Sequence, residues 1–147
     1  MTGTNHIATG ALIGATFTAP VAMPLAVASH FAMDALPHFG NKGFSRRSKR
    51  FIAVVTIDIV IVMAITAAII AFKPHHWQLM LAGGVLAMAP DAIHVPNFVR
   101  EMKGRDQHSH ESRLSRLHGR VQREYAWGLL TEIAWLAIIT PFLIRAL

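Results

Sequence analysis

The sequence predicts an all-α protein: a polytopic membrane bundle of about five hydrophobic helices, forming one domain over residues 1–147. Two observations favour this class. Hydrophobic residues make up 53% of the chain and charged residues 15%, against about 25% charged in soluble domains. Long apolar segments also alternate with short polar ones. Cysteine is absent, which excludes disulfides, thiolate metal sites and cysteine nucleophiles.

The first apolar stretch, Ile7 to Leu36, predicts a hairpin of two short helices. Pro20 and Pro24 interrupt it, and prolines at this spacing end one helix and begin another. We expect helices over about 5–18 and 21–36, each short for an independent span. No Lys or Arg precedes Ile7, so the basic region of a cleavable signal peptide is missing. The hairpin is therefore expected to remain in the mature protein.

Three later segments predict helices that cross the membrane. Phe51 to Phe72 can cross a hydrocarbon core of about 30 Å and carries one charge, Asp58. Trp77 to Ala89 is shorter, and Tyr125 to Leu147 contains an acidic residue, Glu132. Ionisable residues are costly inside a membrane, so these two acids are expected to serve a function or to have buried partners.

The basic residues orient the bundle. Five lie within 42–50 and seven within 100–123, whereas the turn between the third and fourth helices carries only Lys73. Segments rich in Lys and Arg stay on the cytoplasmic side, which predicts a multi-pass protein of the inner membrane. The basic segments are also expected to contact the anionic headgroups of membrane lipids. No nucleic-acid partner is expected, and the sequence leaves a homo-oligomer open.

This orientation brings several histidines and aspartates to the cytoplasmic ends of the helices. Imidazole and carboxylate groups are ligands of zinc, manganese and iron. We therefore predict a site for a divalent metal ion, with zinc as the first expectation. The predicted core ligands are His30, Asp34, His38, Asp91 and His94. His6 and His118 are predicted as further ligands.

Two of these ligand pairs have a structural alternative. His30 and Asp34 are four positions apart and share a helix face, so Asp34 could instead accept a hydrogen bond from His30. Asp91 and His94 share a face of a short turn between two prolines, where Asp91 could serve as a helix cap. His38 follows the end of the helix that carries His30 and Asp34, so one helix end could supply all three ligands.

His6 can join the site only if the first helix packs beside the second and fourth. Small residues at Gly10, Ala11, Gly14 and Ala15 permit such close packing. The sequence favours neither a ligand role nor a structural role for His6.

His118 begins a polar stripe with Gln122 and Tyr125 that is expected to continue along the fifth helix to Glu132. Glu132 is expected to support a histidine ligand from outside the metal shell, or to pair with Asp58. Two other groups are expected to lie outside the site. These are the segment His108-Ser-His-Glu111, which is expected to be solvated, and His75 and His76, which with Trp77 are typical of an interfacial anchor.

Motifs of other catalytic classes are missing from the sequence. It contains no Gly-x-Ser-x-Gly, no P-loop, no Rossmann glycine pattern and no His-Glu-x-x-His. If the protein is an enzyme, the expected nucleophile is water activated by a divalent ion. Asp34 and Asp91 are the predicted catalytic residues, with either one acting as general base instead of ligand.

Three short motifs resemble those of small bacterial inner-membrane proteins predicted to be metal-dependent hydrolases. They are Asn5-His6-Ile-Ala-Thr-Gly10, Ser29-His30-Phe-Ala-Met-Asp34-Ala-Leu-Pro-His38 and Pro90-Asp91-Ala-Ile-His94. Some proteins of that group are compared with zinc-dependent phospholipase C. The resemblance implies a helical membrane fold, a metal site at these positions and hydrolysis of a phospholipid-like substrate.

The leading functional expectation is therefore a membrane-embedded hydrolase acting on a phosphorylated or lipid-like substrate at the cytoplasmic interface. One alternative is a small transporter or channel subunit in which Asp58 and Glu132 carry protons or cations. A second alternative is a non-catalytic membrane adaptor that recruits a partner through its basic loops.

Overall fold

The computed structural model of the protein describes residues 1–40, 47–104 and 113–147. Helices dominate, which confirms the all-α class. In chain order the elements are α1 (Gly3–Thr16), α2 (Ala19–Asp34), β1 (Pro37–His38), α3 (Lys49–Phe72), α4 (Trp77–Met88), a 3-10 helix (Ala89–His94), α5 (Val95–Met102), α6 (Arg113–Val121), β2 (Arg123–Glu124) and α7 (Leu129–Ala146).

Within the described residues, three helical segments are long and apolar enough to cross a membrane: Lys49–Phe72, Trp77–Arg100 and Leu129–Ala146. Large apolar side chains on the first and third face outward, for example Met63 and Leu130, which are 66% and 70% exposed. Such apolar surface is unfavourable in water. The structure therefore supports association with a membrane.

The predicted hairpin of short helices is present, with each helix two residues earlier than expected. The chain leaves α1 at Phe17 and enters α2 after Thr18. Pro20 lies in the first turn of α2, where a backbone N–H has no partner within the helix and its loss costs little. Pro24 lies inside α2 without ending it.

Small residues bring α1 and α4 into backbone contact. A Cβ atom added at Gly10 would lie 2.2 Å from the carbonyl oxygen of Gly83, and one added at Gly14 would lie 2.1 Å from that of Leu79. Neither position can hold a side chain without moving the helices apart. The packing that His6 requires is therefore present, since α1 contacts both α4 and α2, and α1 also contacts α3 and α7.

Asp58 of α3 caps the start of α1. Its Oδ2 accepts a hydrogen bond of 2.9 Å from the backbone N–H of Gly3, and its Oδ1 accepts one of 2.8 Å from that of Thr4. The first N–H groups of a helix have no partner within the helix and carry partial positive charge. A carboxylate from a candidate span therefore stabilises the end of α1 that carries His6.

The helical path continues beyond the predicted end of the fourth helix. Pro90 occupies the first turn of the 3-10 helix rather than ending the helical path, and α5 follows directly. Proline suits this position because its fixed φ matches a helical turn and its missing N–H is not needed there. Asp91 and His94 consequently lie on a helical turn that prolongs α4.

The predicted single stripe from His118 to Glu132 on one helix is wrong. The helix α6 ends at Val121, β2 pairs in parallel with β1, and α7 begins only at Leu129. Contacts with the backbone of His38 explain the interruption. Tyr125 N–H donates a 2.8 Å hydrogen bond to the His38 carbonyl, and a Cβ added at Gly128 would lie 2.0 Å from the His38 carbonyl carbon.

Candidate metal centre

Four of the predicted ligands converge at one point. Four residues each contribute one ligand atom, and these atoms all lie within 4.8 Å of one another: His30, Asp34, Asp91 and His118. They come from α2, the 3-10 helix and α6. His30, Asp34 and His118 are buried, whereas the Asp91 side chain is 38% exposed. The group could hold a metal ion.

The spacing of these atoms suits a four-coordinate ion. Asp34 Oδ2 lies 3.2 Å from His30 Nε2 and 3.0 Å from His118 Nε2, and the two histidine nitrogens are 3.0 Å apart. Asp91 Oδ1 lies 3.8 Å from His30 Nε2. Tetrahedral bonds of 2.0–2.2 Å would separate the ligand atoms by about 3.3–3.6 Å. Small adjustments would therefore fit all four ligands around one ion.

The other ring nitrogens of these histidines have partners that fix the ring orientation. His30 Nδ1 lies 2.7 Å from the carbonyl oxygen of Ala87 at the end of α4. His118 Nδ1 lies 3.0 Å from His94 Nε2, and His94 Nδ1 lies 3.1 Å from the Ser115 hydroxyl. Histidine ligands of metals usually hydrogen bond through the nitrogen that faces away from the ion. Both rings are thus held with Nε2 toward the carboxylates.

His6 approaches the same carboxylates from α1. Its Nε2 lies 3.2 Å from Asp34 Oδ1 and 3.9 Å from Asp91 Oδ2, and the residue is fully buried. Neither ring nitrogen is assigned a hydrogen-bond partner among the residues that the structure describes, and the contact with Asp34 is a close approach of two ionisable groups. Buried polar atoms rarely stay unpaired, so His6 fits a position next to a bound ion.

Asp34 is the most heavily contacted member of the group. Besides its histidine neighbours, it contacts the amino group of Met1 through Oδ1 and the Gln122 amide, 3.4 Å away, through Oδ2. Burial alone would raise the pKa of Asp34, but the histidine contacts, led by His118 and His30, hold its pKa far below the usual range. Asp34 therefore stays ionised, as a metal ligand must.

The described contacts of His38 and His94 differ from those of the converging group. His38 is buried, and its Nδ1 lies 2.8 Å from the carbonyl oxygen of Leu36. Burial lowers the pKa of His38 and favours the neutral ring. His94 contacts the site through His118. Their roles as metal ligands stay predictions, and their present contacts are those of residues that position the site.

A cavity of about 770 Å³ adjoins the metal-binding group. Asp91 belongs to both, because its carboxylate is part of the group and also lines the cavity. The other lining residues include apolar side chains and charged side chains of both signs. The apolar ones include Phe39, which follows β1, Phe51, Val54 and Val55 of α3, and Phe98 of α5. The charged ones are Arg116 and Arg120 of α6 and the acids Asp58 and Glu124.

Glu132 is buried near the site without joining the converging group. Its carboxylate accepts hydrogen bonds from the Thr2 N–H at 2.9 Å, the Asn5 side-chain amide at 2.8 Å and the Phe39 N–H at 3.1 Å. Glu132 thus joins α7 to the start of α1 and to the residue after β1. Both acids of the candidate spans, Asp58 and Glu132, bind the start of α1.

The remaining histidines fall in two places. The rings of His75 and His76 pack on each other, 4.3 Å between centroids, in the turn before α4, whereas the site adjoins the other end of that helix. The predicted solvated segment 108–111 lies outside the described residues. Three site features were not predicted from the sequence: Ser115, the Met1 amino group that contacts Asp34, and the Ala87 carbonyl, which as a backbone group has no sequence signal. Ser115 lies three positions before His118, a spacing that places both side chains on one face of a helix, and this spacing could have indicated that Ser115 lies near the site.

Comparison with family models, curated proteins and solved structures finds no match for this chain.

Proposed function

We propose that the protein is a membrane-embedded, metal-dependent hydrolase that acts on a phosphorylated or lipid-like substrate. One observation carries the proposal: Asp91 belongs both to the metal-binding group and to the wall of the 770 Å³ cavity. Structural metal sites are closed, whereas catalytic ones keep a position open to water or substrate. Here the open side of the group faces a space large enough for a small organic ligand.

His30, His118 and Asp34 would hold the ion from the buried side, and Asp91 from the side of the cavity. A set of nitrogen and oxygen ligands suits zinc, and also manganese or iron. When bound, such an ion polarises the scissile group and lowers the pKa of water toward about 7. Both predicted catalytic aspartates serve as ligands in this proposal. Asp91, which is partly exposed, is the one placed to contact the substrate or the attacking water.

Two arginines that line the cavity favour an anionic group on the substrate. Arg116 and Arg120 lie one turn apart on α6 and both line the cavity. Guanidinium groups bind phosphate through paired hydrogen bonds. A phosphate ester held there would lie in the same cavity as Asp91, whose carboxylate belongs to the metal-binding group.

The apolar wall favours a substrate that carries a hydrocarbon portion. Phe51, Val54 and Val55 line the cavity from the first turns of α3, a candidate span. The cavity wall is therefore continuous with a helix that would face lipid. We propose that this end lies at the cytoplasmic face of the inner membrane, within a multi-pass bundle of five hydrophobic helices that includes the α1–α2 hairpin. The basic segments would contact anionic headgroups.

The proposal is tested by metal content and hydrolysis measured on the same preparations. Full-length protein in nanodiscs, loaded with Zn²⁺, is expected to bind the metal stoichiometrically and to release phosphate from alkyl phosphates or the headgroup from phospholipids. His118→Ala and a His30→Ala/Asp34→Ala double variant should lose both properties. His75→Ala, at the other end of α4, is the matched control and should keep both. Absence of stoichiometric metal in the wild type, or full metal content in the double variant, would overturn the proposal.

The transporter alternative makes a different prediction. It requires flux through proteoliposomes that depends on Asp58 and survives loss of His30 and Asp34. The contacts give it less support, because the Asp58 carboxylate accepts two hydrogen bonds and the Glu132 carboxylate four from backbone and side-chain groups. The adaptor alternative instead requires that substitutions in 100–123 impair function while the histidines are dispensable.

A further inference from the structure

We infer that the centre holds two metal ions, and that His6 is the histidine ligand of the second. The inference rests on the metal centre of the proposed function and adds a second position on the other side of both carboxylates. The first ion would use His30 and His118. The second would use His6, and the two ions would share Asp34 and Asp91.

The two aspartates each divide their oxygens between the histidines. Asp34 turns Oδ2 toward His30 and His118, and its Oδ1 lies 3.2 Å from His6 Nε2. Asp91 places Oδ1 3.8 Å from His30 Nε2 and Oδ2 3.9 Å from His6 Nε2. A carboxylate that bridges two ions presents one oxygen to each. Both aspartates already have this orientation.

The spacing of the histidine rings differs between two pairs. His30 and His118 are placed to bind the same ion, whereas His6 and His30 are placed to bind neighbouring ions. Two imidazoles on one tetrahedral ion, each with its centroid about 3.2 Å from the metal, would have centroids about 5.2 Å apart. The His30 and His118 rings fit this, with centroids 4.9 Å apart and planes tilted by 57°. The His6 and His30 rings are nearly parallel, at 24°, with centroids 4.2 Å apart. That spacing is close to the separation of about 3.5–4 Å between the ions of two-metal sites.

His6 itself supplies the independent sign of a missing ligand. It is fully buried, and neither ring nitrogen is hydrogen bonded within the described part of the chain. An ion bound to Nε2 would satisfy that nitrogen. The Met1 amino group contacts Asp34 Oδ1 in the structure, and the second ion would take over that contact.

The proposed second position has three protein ligands: His6 Nε2, Asp34 Oδ1 and Asp91 Oδ2. Three ligands leave a coordination position open, as in catalytic sites. Two divalent ions between two shared carboxylates would also leave the centre with net positive charge. Together with Arg116 and Arg120 in the adjoining cavity, this charge favours a phosphate ester as the substrate.

The test counts ions and measures their coupling in full-length protein loaded with Mn²⁺ after removal of bound metal. Wild type is expected to bind two ions per chain and to give the electron paramagnetic resonance spectrum of an exchange-coupled pair. His6→Ala should bind one ion and give the spectrum of isolated Mn²⁺. His6→Asp, which restores a ligand, should recover the second ion, and His75→Ala should behave as wild type.

The outcomes separate this inference from the proposed function. One ion in the wild type, retained in His6→Ala, would overturn the second position and leave the proposed hydrolase standing. No ion in the wild type would overturn both. A His6→Ala protein that binds none yet keeps its helical circular dichroism would assign His6 to a single shared site, against the inference. If that variant does not fold, the wild-type stoichiometry and spectrum decide alone.

Discussion

Glu132 accepts a 2.8 Å hydrogen bond from the side-chain amide of Asn5, the residue immediately before His6. The same carboxylate accepts bonds from Thr2 and Phe39. One buried acid on a candidate span thus holds together the start of α1 and the chain segment beside His38. This arrangement makes the position of His6 depend on α7, although α7 contributes no atom to the converging metal group.

Replacement of Glu132 should therefore destabilise the protein. Glu132→Ala leaves four buried or partly buried donors without their acceptor, and each unsatisfied group costs about 1–3 kcal/mol. Glu132→Gln keeps one carbonyl oxygen and should fall between Ala and wild type. Thermal unfolding in detergent, followed by circular dichroism, measures the order. A Glu132→Ala protein that unfolds at the wild-type temperature would contradict this role.

A single methyl group at Gly10 should disrupt the site. The added Cβ would lie 2.2 Å from the Gly83 carbonyl oxygen, so α1 must move away from α4 and carry His6 with it. Gly119→Ala is the matched control, because nothing lies within 4 Å of its Cβ and alanine favours a helix by about 1 kcal/mol. We expect Gly10→Ala to lower both thermal stability and metal content. Equal behaviour of the two variants would argue against backbone contact between α1 and α4.

Metal binding should weaken as the pH falls from 7.5 to 5.5. Because the pKa of Asp34 is lowered, its ionisation contributes stability that is lost only as the pH falls below the ordinary aspartate range, outside this window. The imidazole ligands must be unprotonated to bind, so protons compete with the metal as the pH falls. Weaker Zn²⁺ binding is expected at pH 5.5 than at pH 7.5, measured by competition with a chelating dye. Equal affinity at both pH values would exclude histidine ligation.

The arginines of α6 should affect substrate binding more than metal binding. Arg116→Gln and Arg120→Gln remove cations from the cavity wall but touch no member of the metal-binding group in the described contacts. Since both side chains are exposed, the expected rise in KM for an alkyl phosphate is modest, about three- to tenfold each. Arg113→Gln, on the same helix but outside the cavity lining, is the control. An unchanged KM in both cavity variants would remove the arginines from the substrate site.

The parts of the fold that follow from local patterns were predictable. The apolar segment Phe51 to Phe72 becomes α3, starting two residues earlier, because length and hydropathy alone decide such a helix. The pairing of His30 with Asp34 follows from helical spacing. The sequence allowed His6 to join the site only if α1 packs against α2 and α4. Gly10 and Gly14 made this packing possible, because their small size lets α1 approach α4 closely.

The parts that depend on distant contacts were not predictable. The backbone of His38 holds Tyr125 and Gly128, and so delays the start of α7 from residue 125 to Leu129. No local pattern at 123–128 signals a partner some 85 positions away. The role of Asp58 as a cap for α1 was also not predictable. An acid within an apolar helix indicates that it has a partner, but the sequence does not indicate which group that partner is.

The caps on α1 have a consequence for the order of biosynthesis. A ribosome makes α1 long before Asp58 and Glu132, so the first N–H groups of that helix wait for partners that arrive with α3 and then α7. His6 can take its final place only after both of those helices have been made. On the proposal of a metal-binding centre, the ion would therefore be taken up after synthesis of α7 rather than while the chain is still growing.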